Sequence, residues 1–455
     1  MVEWRGGALI LFPSFPSLLS IIAYRLPFML RSFFSSFFSL SFQSFQSFQS
    51  FLAARFPSLL ALLPLPILPI LLIAQPAYAL ELGIDRLESR GFDSLKGKRV
   101  GLITNQTGVN SAGRRTREIL AKASGVKLVA LFTPEHGLDG KELAGKYVAN
   151  RKDPVTGVTA HSLYGPTRKP TPDMLRGIDV LIYDMQDIGV RSYTYVSTMA
   201  RCMEAAGECG MEFMVLDRPN PLGGTRVEGP PVEPQWISFV GQLPVPYVHG
   251  MTCGELARML NERKWMAAQC KLTVVKMQGW ERPMVWRDTG LRWVQTSPNI
   301  PRADSPAYYV ATGIVGSLAG LETGVDGPNP FEICAGKGVN PDAFTSTIKG
   351  LGLDGVQVRP YTAGGFSGCR LAIDPKAKGD LCVLALALLV ETNRASKPDL
   401  FAKSSADKLD IFWKVYGSNT IRDQLRKGTS VQKIAQGWKP GVEKFREERK
   451  AYLFY

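Results

Sequence analysis

Five short runs between residues 98 and 277 constrain the fold more than any other feature of the chain: "RVGLIT" (99–104), "KLVALF" (127–132), "DVLIYD" (179–184), "EFMVLD" (212–217) and "KLTVVK" (271–276). Each carries Val, Leu and Ile at consecutive positions, so both faces of the strand it forms are apolar, as in a parallel strand covered on both sides. Between them "RRTREILAKA" (114–123), "YVSTMARCMEAA" (195–206) and "TCGELARMLNER" (252–263) repeat apolar residues at helical spacing. This alternation predicts an α/β fold, a Rossmann-like open and mainly parallel sheet with helices on both faces. Beyond about residue 296 it loosens: "SPNIPRADSPAYY" is irregular, "CRLAID" (369–374) is a short strand and "LCVLALALLVETNRA" (381–395) a strongly apolar helix. "IRDQLRKGTSVQKIAQGW" and "VEKFREERKAYLFY" read as helices on the surface of a second domain. We expect a Rossmann-like domain over 80–295 and a smaller α+β C-terminal domain over 296–455.

Residues 1–79 have another character. They contain Arg5, Arg25, Arg31 and Arg55, no lysine, one acid, Glu3, and the low-complexity repeat "SFQSFQSFQSF" (41–51). "LLALLPLPILPILLIA" (59–74) follows Arg55 and precedes Ala77-Tyr78-Ala79, small residues at both positions of an A-x-A cleavage site. Three prolines and a short apolar span argue against a membrane anchor, since spanning takes about 20 helical residues. The reading is an export signal cut after Ala79, which sends the protein to the periplasm or the exterior and leaves no stable membrane span. The alternative is a bipartite transit peptide leading to an organelle lumen.

The formal charge of +14 becomes +11 without that segment, which suits an anionic partner. No basic run with interleaved aromatics is present, so no nucleic-acid partner is expected. Seven cysteines, at 202, 209, 253, 270, 334, 369 and 382, lack any C-x-x-C, which disfavours a zinc ribbon or a dense disulfide scaffold. Most are expected to be small buried hydrophobes, with one or two bridges permitted by export.

In an open α/β sheet ligands bind beyond the carboxyl ends of the strands. The first strand is followed by Thr104-Asn105-Gln106-Thr107, and the second by Pro134-Glu135-His136-Gly137. The third ends in Asp184-Met185-Gln186-Asp187 and continues to Arg191, Tyr193 and Tyr195, and the fourth delivers Asp217-Arg218-Pro219-Asn220. Pro134 biases Thr133 toward an extended backbone, and Gly137 and Gly140 let the chain turn, so Glu135 and His136 fall at the cleft mouth. A carboxyl flanked by other carboxylates and partly desolvated has a raised pKa, which fits Glu135 for a general acid. Glycoside hydrolysis also uses a second carboxylate, for which Asp184 and Asp187 are the candidates. Asp184 equally fits a helix-capping or loop-organising role. Arg191 and Arg218 can grip a carboxylate bidentately or pair with Asp187 and Asp217. Tyr193 and Tyr195 offer a stacking face or a hydroxyl, or belong to the core. His249 sits just before a helix whose expected cap is Thr252, and can line the cleft from another loop.

The segments "LITNQTG", "LFTPEHGLDG", "SLYGPTRKPT", "DVLIYDMQDIGVRSYTYVSTM", "VLDRPNPLGG", "SFVGQLPVPYVHGMTCGELA" and "KFREERKAYLFY" resemble the NamZ-type exo-β-N-acetylmuramidases, glycoside hydrolase family 171, from about Gly83 to Tyr455. The resemblance implies a Rossmann-like domain packed on a smaller C-terminal one, with the cleft between them. It also implies release of N-acetylmuramic acid from non-reducing ends of peptidoglycan fragments. The catalytic glutamate of the P-E-H-G motif falls on Glu135, and Asn299 in "SPNIP" reaches the cleft from the domain junction. Where the family carries a Gly-Arg-Gly-Thr element before Pro-Phe-Glu, this chain reads "LETGVDGPNPFE" (321–332). The arginine is missing, which leaves Arg191 and Arg218 as partners for the lactyl carboxylate.

Two other readings compete. A metal-dependent hydrolase would gather Glu135, His136, Asp184, Asp187 and His249 round a cation, but no spaced ligand motif supports it. A wall-binding protein without turnover would keep the fold and the missing arginine alike. No G-x-G-x-x-G or G-x-x-x-x-G-K-[ST] follows a strand, so no cofactor is expected.

Overall fold

Consecutive apolar residues on a strand point to opposite faces, so each strand can feed two cores at once. A computed structural model describes residues 80–455, and the presequence expectations therefore lie outside the described residues. In chain order the first part holds α1 (Gly83–Ser89), β1 (Arg99–Thr104), α2 (Thr116–Lys122), β2 (Lys127–Thr133), β3 (Arg151–Lys152), β4 (Thr159–Ser162), α3 (Pro172–Leu175) and β5 (Val180–Asp184). It continues with α4 (Tyr195–Glu208), β6 (Glu212–Leu216), β7 (Glu228–Pro231), β8 (Pro246–Val248), α5 (Cys253–Glu262) and β9 (Lys271–Val275). The five strands expected between residues 98 and 277 form within a residue of their expected bounds.

These strands build a seven-stranded sheet in the order β3-β4-β2-β1-β5-β6-β9, parallel throughout except for the β3–β4 edge. On β5, Leu181 and Tyr183 enter the core covered by α4 and α5, while Val180 and Ile182 enter the core covered by α1 and α2. The chain runs outward from β1 through β2 to β4, then returns to β5 on the far side of β1. The connections therefore diverge between β1 and β5 and leave a crevice at their carboxyl ends, the ligand position of such sheets.

After residue 300 follow α6 (Ser305–Tyr308), a π turn at Tyr309–Gly313, β10 (Leu321–Glu322), β11 (Ile333–Gly336), α7 (Pro341–Lys349), β12 (Val356–Ala363) and β13 (Phe366–Ile373). The last part holds α8 (Leu381–Ala395), α9 (Leu400–Lys403), α10 (Ala406–Tyr416), α11 (Thr420–Arg426) and α12 (Val431–Arg449). A separate antiparallel sheet orders β10-β11-β13-β12. The apolar α8 is capped by Asp380, whose carboxylate accepts the amides of Cys382 and Val383 at 2.9 Å. All seven cysteines are free thiols, six buried and Cys209 exposed. Among the described residues no helix is long and apolar enough to cross a membrane.

The chain end differs from the expected surface helices. One helix, α12, runs straight through Pro440 to Arg449, with Val442 and Phe445 buried. It lies on β7, and a Cβ on Gly441 would meet Pro231 Cγ at 2.5 Å, so glycine is what permits this approach. Burial of that apolar side outweighs the backbone bond that Pro440 removes. Beyond α12 the chain returns to the parallel sheet: Tyr455 donates its hydroxyl to Asp217 Oδ2 at 2.8 Å and accepts the Met277 amide at 2.9 Å. Tyr455→Phe leaves that amide and a buried carboxylate oxygen each short of a partner. We expect a loss of about 1–3 kcal/mol, read as a lower urea midpoint with an unchanged denaturant slope.

Candidate active site

The turn after β2 is the most constrained piece of backbone near the crevice. Pro134 ends the strand, and left-handed backbone begins one residue earlier than the glycines foretold, at His136 (φ 69°), continuing at Gly137 (φ 72°). A histidine tolerates this conformation only when its surroundings hold it. Here its Nδ1 lies 2.6 Å from the Glu142 carbonyl, and its own carbonyl accepts the Glu142 amide at 3.2 Å. His136 therefore closes the loop it begins, and its buried ring is committed to that loop.

Glu135, half-buried, is held at both oxygens: Oε1 accepts the Gly145 amide at 2.8 Å and Oε2 accepts the Thr194 hydroxyl at 3.0 Å. A third neighbour comes from β4. Thr133 pairs with Ser162 in the sheet, so Tyr164, two residues past Ser162, stands beside Glu135, two residues past Thr133. Burial first, and then the Glu135 charge, push the Tyr164 phenol upward. The expected ring of carboxylates around Glu135 is thus replaced by a hydroxyl, a peptide N–H and a phenol.

At the end of β5 the two aspartates separate. Asp184 is fully buried, with Oδ1 2.6 Å from Arg218 Nε and Oδ2 accepting the Thr116 hydroxyl. Both oxygens are spent inside the protein, so Asp184 organises loops and does not face substrate. Arg218 pairs with Asp184, not with Asp217, and also donates to the Val109 carbonyl at 2.6 Å. Asp187 accepts the Gly189 amide at Oδ1 (2.7 Å), while its Oδ2 has no partner although it is buried. Desolvation raises this carboxyl to about 7, against a smaller downward pull from the Gly189 and Ile188 amides. Glu135 is tied to the segment that leaves β5 through Asp187, because its Oε2 accepts the Thr194 hydroxyl of that segment at 3.0 Å.

Arg191 is fully buried and does not pair with Asp187. Its guanidinium donates to the carbonyls of Pro230 and Val245 at 2.8 Å and of Val415 and Tyr416 at 3.0 Å. It joins β7 and the β8 approach to the end of α10, and is a clasp, not a substrate ligand. Tyr193 and Tyr195 are core residues of the cleft wall, with rings edge to face at 4.7 Å and hydroxyls on Thr296 Oγ1 (2.9 Å) and Thr296 O (2.6 Å). Asn105 folds onto its own loop, Oδ1 taking the Thr107 amide and hydroxyl, and leaves Nδ2 unpartnered. Gln186 bridges to the Asp187 and Pro219 carbonyls at 2.8 Å and leaves Oε1 unpartnered. These two orphaned amide groups lie at the ends of the two strands that border the crevice.

The remaining candidates are structural in this arrangement. Asp217 receives the Thr252 hydroxyl, the Gly254 amide and Tyr455, which ties the cap of α5 to the chain end. Asn220 makes a turn onto Leu222 and donates to the Met251 carbonyl. A Cβ at Gly189 would stand 2.2 Å from Asn220 Oδ1, so glycine alone fits there. His249 is buried and neutral, its pKa pushed down to about 3 by burial and then by Arg449 and Arg191. Asn299 is exchanged in two bonds with Asp326, at 3.1 and 2.9 Å, and so fastens the junction to the 321–332 segment.

Sequence reasoning missed Thr194, Gly145, Tyr164 and Tyr309. The first and third stand inside quoted motifs, yet nothing in their spacing announced that two loops converge on Glu135. Tyr309 opens the π turn, a distortion frequent at functional sites, and its hydroxyl lies 3.1 Å from Ser192 Oγ. The ligating side chains that converge among the described residues are Glu228, Asp380 and Cys382, and not the five of the metal reading. There Arg226 and the first amides of α8 already take the carboxylates.

Residues 100–304 match the family model described as exo-β-N-acetylmuramidase NamZ, N-terminal, and residues 307–455 the C-terminal model of the same family. The chain is 40% identical over 385 residues to the peptidoglycan β-N-acetylmuramidase NamZ of Bacillus subtilis (strain 168), covering 83% of this chain and 91% of that one. Two crystal structures of DUF1343 family proteins from Bacteroides fragilis NCTC 9343 share the fold. They have TM-scores of 0.77 and 0.60 at 41% and 26% identity, each over 83% of this chain and 99% of theirs.

Asp187 gives this site a pH signature. Between the ordinary aspartate range, about 4, and its folded value of about 7, the folded protein holds a proton that the unfolded chain has released. Its contribution to stability is therefore complete at the acid end and is lost as the pH rises through 7. Asp187→Asn, neutral at every pH, should match the parent near pH 4 and exceed it in stability at pH 8. Urea denaturation of both proteins at the two pH values checks this, and parallel pH profiles would refute it.

Proposed function

The chain belongs to the NamZ family of exo-β-N-acetylmuramidases, and we propose that Glu135 and Asp187 are the carboxyl pair with which it releases N-acetylmuramic acid from the non-reducing ends of peptidoglycan fragments. The activity is that of a glycosidase. The observation that carries the assignment is the convergence of two loops: Glu135 beyond β2 accepts the hydroxyl of Thr194, on the segment that leaves β5 through Asp187, whose Oδ2 is buried without a partner.

Glycoside cleavage needs an acid to protonate the leaving oxygen and, as a rule, a second carboxyl on the other side of the sugar. Glu135 serves as the acid. Thr194 and Gly145 fix its orientation, so its proton is presented in one direction instead of being swept through solvent. Asp187 supplies the second carboxyl through Oδ2, the oxygen without a protein partner. Asn105 and Gln186, each with an unpartnered amide atom, bind the sugar's polar groups from the crevice floor. The alternation of apolar and proline residues before Ala79 supports export of the protein to the periplasm or beyond. N-terminal sequencing of the exported protein should then begin at Leu80, and a retained segment would refute the cleavage.

The deciding experiment is release of the aryl group from an aryl β-N-acetylmuraminide, with the matching N-acetylglucosaminide and a chelator control. Selective, chelator-resistant release is expected. Saturable binding of wall fragments without release would replace the enzyme by a binding protein. Glu135→Gln keeps the shape and the acceptor toward the Gly145 amide, while its NH2 can donate to a Thr194 hydroxyl turned to accept, but it has no proton to transfer. It should fold normally and lose about 10²- to 10⁴-fold in kcat, and an active variant would remove Glu135 from the role.

A further inference from the structure

The loss of the arginine from the 321–332 segment left two substitutes in the sequence, and both are committed elsewhere: Arg191 to four carbonyls and Arg218 to Asp184. Among the described residues the exposed Lys141 and Lys146 form no ion pair and rest on no aromatic ring, while several other cations nearby in the chain are paired. Lys169 bridges Glu204 and Glu208, Arg151 and Arg117 flank Asp139, and Arg302 and Arg370 share Glu332. Arg168 is different. Among the described residues no carboxylate pairs with its guanidinium, which lies 3.9 Å from the centre of the Tyr164 ring and 4.5 Å from that of Phe239.

Tyr164 is the residue that the β2–β4 register sets beside Glu135. The guanidinium is therefore one aromatic ring away from the acid, on the loop that leaves β4. Contact with two rings and with the Tyr164 hydroxyl restrains it, and a guanidinium with five N–H donors keeps others for a two-oxygen anion. Both Arg168 and its two rings are only half-buried, so an incoming ligand can reach those donors. A restrained, unpaired cation beside the acid of a glycosidase calls for an anion on the substrate. N-acetylmuramic acid differs from N-acetylglucosamine in carrying one, on its lactyl ether.

Resting on the muramidase reading above, we propose that Arg168, held against Tyr164 and Phe239 next to Glu135, binds the lactyl carboxylate and sets the preference for N-acetylmuramic acid.

The test compares the purified protein with Arg168→Ala and Arg168→Lys on three aryl glycosides: the β-N-acetylmuraminide, its lactyl methyl ester and the β-N-acetylglucosaminide. The parent should favour the free acid over the ester. Arg168→Ala should lower kcat/KM for the acid about 10- to 100-fold, the worth of a charge-assisted hydrogen bond, mainly through KM. It should leave the ester within about threefold, so the discrimination disappears, and Arg168→Lys should keep part of it by charge alone. Equal losses on acid and ester would mean that the arginine only braces the two loops, and that outcome overturns the proposal, as does a parent that treats acid and ester alike. If the parent cleaves none of the three, the muramidase reading itself fails. Calorimetric titration with free N-acetylmuramic acid and N-acetylglucosamine then judges Arg168 alone: preferential binding of the acid that Arg168→Ala abolishes upholds it, and no difference overturns it.

Discussion

The ion pair between Asp184 and Arg218 is the contact on which the geometry of the crevice depends. It lies at the end of β5, with the Thr116 hydroxyl on the second carboxylate oxygen and the Val109 carbonyl on the guanidinium. The backbone carbonyl of Asp184 in turn accepts the Thr104 hydroxyl at the end of β1. The connections after β1, β5 and β6 and the start of α2 are thereby held to one point. Taking both charges out of water is costly, and such a pair adds little stability over an apolar substitute. Removing one partner is another matter, because it strands the other charge in the interior at a cost of about 3–5 kcal/mol. The pair thus acts as a register device: loops that part at the switch point of the sheet are forced to part in one geometry, and Asp187, three residues beyond Asp184, inherits its position from it.

The parallel sheet was legible because its signal is local. A strand covered on both faces must be apolar at every position, and five such runs between helical segments leave few topologies open. The turn at Pro134 was legible for the same reason, since proline and glycine act on their own backbone. The fate of the charged groups was not. Arg191 spends its donors on carbonyls at 230, 245, 415 and 416, and Asp217 receives the hydroxyl of Tyr455. Those partners lie up to 238 residues away in the chain, and no period or motif in a single sequence announces them. Ionisable residues at strand ends therefore mark the neighbourhood of a site, while tertiary contacts decide which of them remain free to act.

The surroundings of Glu135 sharpen that point. Clustered carboxylates would have raised its proton affinity by repulsion. Two directed donors do something else: they fix the plane of the carboxyl group. The second carboxyl, Asp187, is governed by the other effect, for burial lifts it to about 7. One acid is defined by orientation and the other by desolvation.

Specificity for a charged sugar is a difference between two affinities, and it needs a group that is worse off with the wrong ligand. An arginine already paired with a carboxylate cannot provide that, since an uncharged sugar would leave its ion pair undisturbed. The 321–332 segment is anchored by such satisfied contacts: Asn299 on Asp326, and Arg302 and Arg370 on Glu332. It can shape the cleft rim but has no cation to withhold. A guanidinium steadied by aromatic rings and one phenol hydroxyl keeps further donors in reserve, and those stay without a carboxylate when the lactyl group is absent. On this argument the recognising charge is carried by the loop that leaves β4, not by the C-terminal segment.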